Sequence, residues 1–251
     1  MVWSFSRLNS YYNCKHEWLN NYINCMKGKN SCFAEFGSLC HEVLEKYCKG
    51  ELSLFEVSEY YNNHFDDIVV DEFPPNNYKD LRESYYESGL EYFDNIDLDL
   101  DNYEILGVEK EISFTVGDYQ MMGYIDLLLM SKDTGNIIIV DHKSSNIKFT
   151  KGGKPYKKDE EHWQSFKRQL YLYAIPVIEE YGKVDFLEWN MFRSKERKRI
   201  PFSQEEFREA QDWVIRTIDL IKQETEWSRK DDYDFYCNYL CGQRDNCVNV
   251  K

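Results

Sequence analysis

No apolar run in this 251-residue sequence approaches the length a membrane-spanning helix needs. The opening Met1-Val2-Trp3-Ser4-Phe5-Ser6-Arg7 also lacks the basic-then-apolar pattern of a secretory signal, so the expected location is the cytoplasm. Internal repeats and low-complexity linkers are missing too, which argues against a second independent domain. The expectation is one domain over 1–251: a helical region over 1–103, a sheet core over 104–202, and a helix with a cysteine tail over 203–251. Positive charge is scarce. A net charge of −14 excludes a general nucleic-acid coat, whose backbone-hugging surface would be basic. It leaves room for an enzyme with a local basic channel, because the basic residues cluster at Lys143, Lys148, Lys151, Lys154, Lys157 and Lys158, and again from Arg193 to Arg199. The acid lies elsewhere, in Asp94 to Asp101 and Asp231 to Asp234.

The first hundred residues carry helical periodicity. Phe36, Leu39, Cys40, Val43, Leu44 and Tyr47 fall on one helix face. From Glu104 the period changes to two, predicting strands over 104–115, 119–131 and 136–144, with turns at Gly117-Asp118 and Asp133-Thr134-Gly135. A lysine-rich loop follows, then a helix over 159–181, strands near 184–192 and 197–202, and a helix over 204–227 opened by the capping pattern Ser203-Gln204-Glu205-Glu206. This order of elements predicts an α/β fold.

In the third strand Ile137, Ile139, Asp141 and Lys143 share a face, so an apolar stripe ends in an acid and a base. Depending on where the preceding turn is centred, Asp126 faces either Asp141 or Lys143. In both registers the three groups are neighbours. Two carboxylates opposed on an apolar strand pair repel unless one is protonated or a cation lies between them. Oxygen ligands select hard ions such as Mg²⁺ or Mn²⁺, and Lys143 would orient a water or stabilise developing negative charge. The spacing alone is equally compatible with solvent-facing strand-end residues joined by a salt bridge.

Three segments occur in order: Gly123-Tyr124-Ile125-Asp126, then Val140-Asp141-His142-Lys143-Ser144, then Gln169-Leu170-Tyr171-Leu172-Tyr173-Ala174. They resemble the G-x-x-D, (D/E)-x-K and Q-x-x-x-Y motifs of RecB-like nucleases of the PD-(D/E)XK superfamily. The resemblance implies a restriction-endonuclease-like core, a mixed central sheet flanked by helices. It further implies that Asp126, Asp141 and the main-chain carbonyl of His142 bind Mg²⁺ or Mn²⁺, that Lys143 serves the hydrolytic water, and that Gln169 and Tyr173, i,i+4 neighbours, position the lysine and the DNA. Phe36-Gly37-Ser38-Leu39-Cys40-His41-Glu42 is similar to the family's amino-terminal histidine motif, which makes His41 a further ligand. Glu109 or Glu111, on the preceding strand, is placed to join the site, and no motif chooses between them.

Cys237, Cys241 and Cys247 lie close together near the carboxy terminus, and three thiols do not complete a four-cysteine site. Cys14 is the natural fourth. Its segment, from Ser4 to Cys14, resembles the opening of nucleases with an iron–sulfur cluster, the AddB and CRISPR-associated RecB-like exonucleases, implying a 4Fe–4S cluster that ties the two ends of the domain. The spacing departs from that pattern, with three residues rather than two between Cys237 and Cys241; structural Zn²⁺ or free thiols are the alternatives. Cys25, Cys32, Cys40 and Cys48 are expected to be small buried hydrophobes.

The loop over 145–158 would border the site and offer lysines to phosphates, with Tyr156, Trp163 and Phe166 near enough to stack on unpaired bases. Taken together, the sequence predicts a metal-dependent deoxyribonuclease acting on single-stranded DNA or duplex ends, most simply an exonuclease of recombination, repair or DNA processing. The rival is a non-catalytic DNA-binding adaptor serving a helicase or integrase. No membrane partner is expected.

Overall fold

A computed structural model describes residues 1–145, 147–230 and 235–247. The acidic run Asp231 to Asp234 and Asn146 of the lysine-rich loop lie outside the described residues. The amino-terminal region forms a two-residue strand β1 (Trp3–Ser4) and helices α1 (Phe5–Asn13), α2 (Lys15–Tyr22), α3 (Cys32–Cys48), α4 (Val57–Ile68) and α5 (Leu81–Asp94). Strands β2 (Tyr103–Val116), β3 (Tyr119–Ser131) and β4 (Ile137–Lys143) follow, then α6 (Glu160–Tyr181), β5 (Phe186–Met191), β6 (Glu196–Pro201) and α7 (Gln204–Gln223).

Local chemistry sets most of these limits. The hydroxyl of Ser31 accepts the Ala34 amide at the start of α3, and that of Ser203 accepts the Glu206 amide at the start of α7. Both hairpin turns carry a left-handed glycine, Gly117 (φ 57°) and Gly135 (φ 65°). Helix α7 stops at Gln223, four residues before the predicted Trp227, and Trp227 stacks on Trp18 instead, with ring centroids 5.2 Å apart.

The sheet runs β1-β3-β4-β5-β6, with β2 antiparallel along β3. β3 shares its other edge between β1, parallel at Trp3↔Met121, and β4, antiparallel through Leu127↔Val140. β4 and β5 are parallel and joined by α6, so the sheet is mixed and the predicted architecture of a central mixed sheet flanked by helices is the one observed. Alternation along β4 splits the core in two. Ile137 and Ile139 pack with α1, α6 and α7, while Ile138 and Val140 pack with α3, α4 and α5. Among the described residues, no helix is long and apolar enough to cross a membrane.

Three expectations change. Cys32, Cys40 and Cys48 are buried, but Cys25 is exposed, because it sits beyond α2 on a left-handed backbone (φ 50°). Trp163 and Phe166 are buried in the core, leaving Tyr156 as the exposed aromatic of that trio. In the basic run, Arg197 and Arg199 both pair with Glu188, which is 1% exposed on β5, so they neutralise a buried charge rather than stand free.

Candidate active site

The β3–β4 ladder ends at Leu127↔Val140, and that register carried one residue further sets Asp126 opposite Asp141, the first of the two alternatives. Strict alternation breaks here: Ile125 and Leu128, three residues apart, pack in the same core layer. On the neighbouring strand Glu109 lies opposite Asp126, between Val108↔Leu127 and Lys110↔Ile125, and adopts a left-handed backbone (φ 46°). That conformation costs a non-glycine residue on the order of 1–2 kcal/mol. It turns the Glu109 carboxylate toward α3, where His41 Nδ1 lies 3.9 Å from Glu109 Oε1 and 3.7 Å from Asp126 Oδ2. One ligand atom from each of His41, Glu109 and Asp126 lies within 4.8 Å of the others. Of the two glutamates in question, Glu109 is the one brought in. A recess of about 440 Å³ lined by Gly37, Ser38, His41, Glu42, Glu45 and Glu109 opens onto the group.

Asp141 lies on the α6 side of the sheet, buried. Lys143 Nζ donates to its Oδ1 at 3.0 Å and to Gln169 Oε1 at 2.9 Å, and stands 4.9 Å above the Phe166 ring. The lysine also approaches Asp141 Oδ2 to 2.8 Å, yet off hydrogen-bond geometry, so that buried oxygen has no hydrogen-bond partner. Tyr173, one turn beyond Gln169, packs against β3 at Gly123. A Cβ on Gly123 would stand 2.6 Å from a Tyr173 ring carbon, which is the physical reason for glycine three residues before Asp126. His142 sends its side chain to the opposite face, edge-on to His41 with centroids 5.9 Å apart, while its main-chain N–H donates to Asp126 Oδ2 at 2.6 Å. Two groups thus lie side by side: Asp141, Lys143 and Gln169 joined by hydrogen bonds on the α6 side, and Asp126 with His41 and Glu109 on the α3 side.

The electrostatics follow from burial. Burial pushes the Asp126 carboxyl up to about 7, with Asp141 adding to the rise against the opposing pull of His41, Lys143 and the His142 amide. Burial pushes the His41 imidazole down, but the Asp126, Glu109 and Asp141 carboxylates outweigh it and its pKa is raised. The His142 ring, buried and close to His41, Arg197 and Lys143, is held far below its usual range and stays neutral. An Asp in an unfolded chain titrates near 3.9. From there to about 7 the unfolded chain releases a proton that the fold retains, so metal-free stability falls as pH rises through this window. The raised His41 acts in the same direction, its contribution being lost as pH climbs through the raised value. Melting curves of metal-free wild type and Asp126→Asn from pH 4 to 8 should converge at the acid end and separate in favour of the variant toward pH 8. Parallel curves would contradict the assignment.

The tail cysteines sit on a docked segment. Gly242 N–H and the Tyr236 hydroxyl donate to the buried Glu17 carboxylate of α2. The buried Arg244 pairs with Asp71 at 2.7 Å and donates to the Lys29, Asn30 and Cys241 carbonyls. Cys14 caps α2, its sulfur accepting the Glu17 amide at 3.5 Å. Burial, the Glu17 carboxylate and the nearby Cys14 raise the Cys241 thiol pKa. Cys237 and Cys247, on the same segment, are half-buried.

Sequence reasoning did not single out Asn190 of β5, whose amide lies 2.9 Å from His142 Nδ1, nor His162, whose ring meets Phe166 beside Lys143. An asparagine in the largely apolar run Phe186-Leu187-Glu188-Trp189-Asn190-Met191 was the available signal for the first; His162 carries none, because Lys143 lies on a different element.

No curated protein matches the chain at a significant level. The crystal structure of a candidate exonuclease from Eubacterium rectale superposes on it with a TM-score of 0.57 at 13% identity, over 100% of this chain and 90% of that one. At that identity the likeness speaks to the fold alone. A second solved structure, SSO0001, covers 85% of this chain and 95% of its own at 17% identity, but its TM-score of 0.35 carries no argument. The model of the PD-(D/E)XK nuclease superfamily matches residues 2–248. With a mixed sheet flanked by helices in the restriction-endonuclease-like manner, and a family match spanning almost its whole length, this chain belongs to the PD-(D/E)XK nuclease superfamily.

Proposed function

We propose that the protein is a metal-dependent deoxyribonuclease, acting as an exonuclease on single strands or duplex ends, with the whole chain working as one catalytic domain. The observation that carries the reading is the Lys143–Asp141 pair flanking His142, whose amide binds Asp126, with His41 and Glu109 beside that aspartate. An aspartate pushed up to about 7 and an oxygen-rich donor set with one imidazole suit a hard dication such as Mg²⁺ or Mn²⁺. Asp126, Asp141, His41 and Glu109 would hold it, with the His142 carbonyl added by family resemblance. Such an ion supplies a water of lowered pKa and offsets charge on the phosphate.

The chain's own groups do the rest. Gln169 and Asp141 fix the Lys143 ammonium, which then donates a hydrogen bond to the attacking water or to a phosphate oxygen as negative charge grows. Tyr173 buttresses Gln169 and packs on the Gly123 backbone. Exposed Lys148, Lys151, Lys154, Lys157 and Lys158 offer phosphate contacts in a chain that is otherwise acidic, and Tyr156 offers a stacking face. We further propose a 4Fe–4S cluster on Cys14, Cys237, Cys241 and Cys247. Its support is the docking of the tail on α2, which brings Cys241 within electrostatic reach of Cys14. Work in DNA recombination or repair beside a helicase or integrase, in the cytoplasm, completes the reading.

The test is degradation of end-labelled single-stranded and duplex DNA by anaerobically purified protein with Mn²⁺, and its loss with EDTA. Absence of Mn²⁺-dependent cleavage on both substrates would overturn the catalytic reading. A colourless preparation without iron would overturn the cluster. Gly123→Ala should lower cleavage about 100-fold, since a Cβ standing 2.6 Å from the Tyr173 ring forces that ring, and with it Gln169, off position. Cleavage within a few-fold of wild type would show that the contact is incidental.

A further inference from the structure

Asn190 is a buried amide, 2% exposed, on a strand whose other side chains are largely apolar. An amide there is tolerated only when hydrogen-bonded. Its Nδ2 lies 2.7 Å from the Tyr92 hydroxyl of α5 and 2.9 Å from His142 Nδ1, and all three side chains are buried. In the parallel β4–β5 ladder His142 is the register partner of Asn190, with Asp141 and Lys143 on either side paired to Trp189 and Met191. His142 is therefore held from two directions: by Asn190 through its ring, and by Asp126 through its main-chain N–H at 2.6 Å. Any rotation of the backbone at His142 swings Asp141 and Lys143, its immediate neighbours, out of their shared geometry with Asp126. The Tyr92 hydroxyl in turn fixes the amide, tying the α3–α5 layer to the strand that carries the site.

We infer that Asn190 is a positioning residue of the metal centre: through the His142 imidazole, and braced by Tyr92, it holds the run from Asp141 to Lys143 so that Asp126 and Asp141 converge on one ion. This rests on the metal-dependent reading above, yet it makes a prediction about ion binding that does not depend on cleavage. Mn²⁺ binding is read by the loss of the free-ion EPR signal, on full-length wild type, Asn190→Leu, Tyr92→Phe, His142→Phe and the double variant Asn190→Leu/His142→Phe. Outer partners of metal ligands contribute about 10- to 100-fold in affinity. Asn190→Leu is expected to weaken Mn²⁺ binding about 10-fold and Tyr92→Phe about 3-fold, a milder variant that keeps the ring and the fold. The double variant should be no weaker than the weaker single one, because both singles break the same link.

DNA cleavage at saturating Mn²⁺ should fall far less than affinity does, separating a positioning effect from general loss of structure. Lowered melting temperature with unchanged Mn²⁺ affinity in Asn190→Leu and Tyr92→Phe would overturn the inference, as would additive losses in the double variant. Wild type that binds Mn²⁺ with these shifts but does not cut DNA leaves the inference standing and removes the nuclease reading. Wild type that binds no Mn²⁺ removes both.

Discussion

Asp141→Asn is expected to slow DNA cleavage at high Mn²⁺ by about 10³-fold or more, while the protein stays folded. The substitution keeps the shape of the side chain and removes its charge. Asp141 is 3% exposed and acts electrostatically on Asp126, so solvent does little to replace the lost ligand. Losing one carboxylate from a hard-ion site forfeits several kcal/mol of charge stabilisation, and about 4 kcal/mol corresponds to about 10³ in rate. Metal-free stability should fall modestly, because loss of the buried Lys143 ion pair outweighs relief of the repulsion that helps push Asp126 up to about 7. Single-turnover cleavage alongside melting curves separates the two effects. Activity within 10-fold of wild type would mean that the carboxylate pair does not carry the chemistry.

Lys143→Met should be nearly as damaging to turnover and opposite in its effect on binding. The ammonium is held by Asp141 and Gln169 and sits above Phe166, a placement that restricts it to one orientation. A fixed donor aimed at developing charge is worth about 10²- to 10³-fold in rate. Removing it also takes away the cation that neighbours Asp141, so Mn²⁺ should bind as tightly as in wild type or more tightly. Methionine preserves the unbranched stem over Phe166, which limits loss of packing. Turnover reduced by about 10³-fold with undiminished Mn²⁺ affinity is the expected pairing. Mn²⁺ affinity that falls in step with turnover would indicate that Lys143 organises the ligands instead of assisting the reaction.

Much of this geometry was legible in the residues. The period-two pattern and two glycine-bearing turns fixed the hairpin, and alternation along β4 put Asp141 and Lys143 on one face, because a strand buried on both sides leaves its side chains no other arrangement. The i,i+4 spacing brought Gln169 and Tyr173 onto one side of α6. Other features depend on contacts that spacing does not encode. The choice of Glu109 over Glu111 is made by a left-handed residue opposite Asp126, a local backbone event among otherwise ordinary strand residues. Asn190 acquires its meaning from Tyr92, far away in sequence, and from a register across a parallel crossover. Arg197 and Arg199 read as part of a basic cluster in sequence, until Glu188 appears beneath them.

The most direct test of the central claim is a crystal of the protein soaked in Mn²⁺ and measured at the manganese absorption edge. The expected result is an anomalous peak bonded to carboxylate oxygens of both Asp126 and Asp141, with His41 or Glu109 in the same shell and Lys143 outside it. A Mn²⁺-soaked crystal with no peak between the two aspartates, the Lys143–Asp141 pair undisturbed, would contradict it.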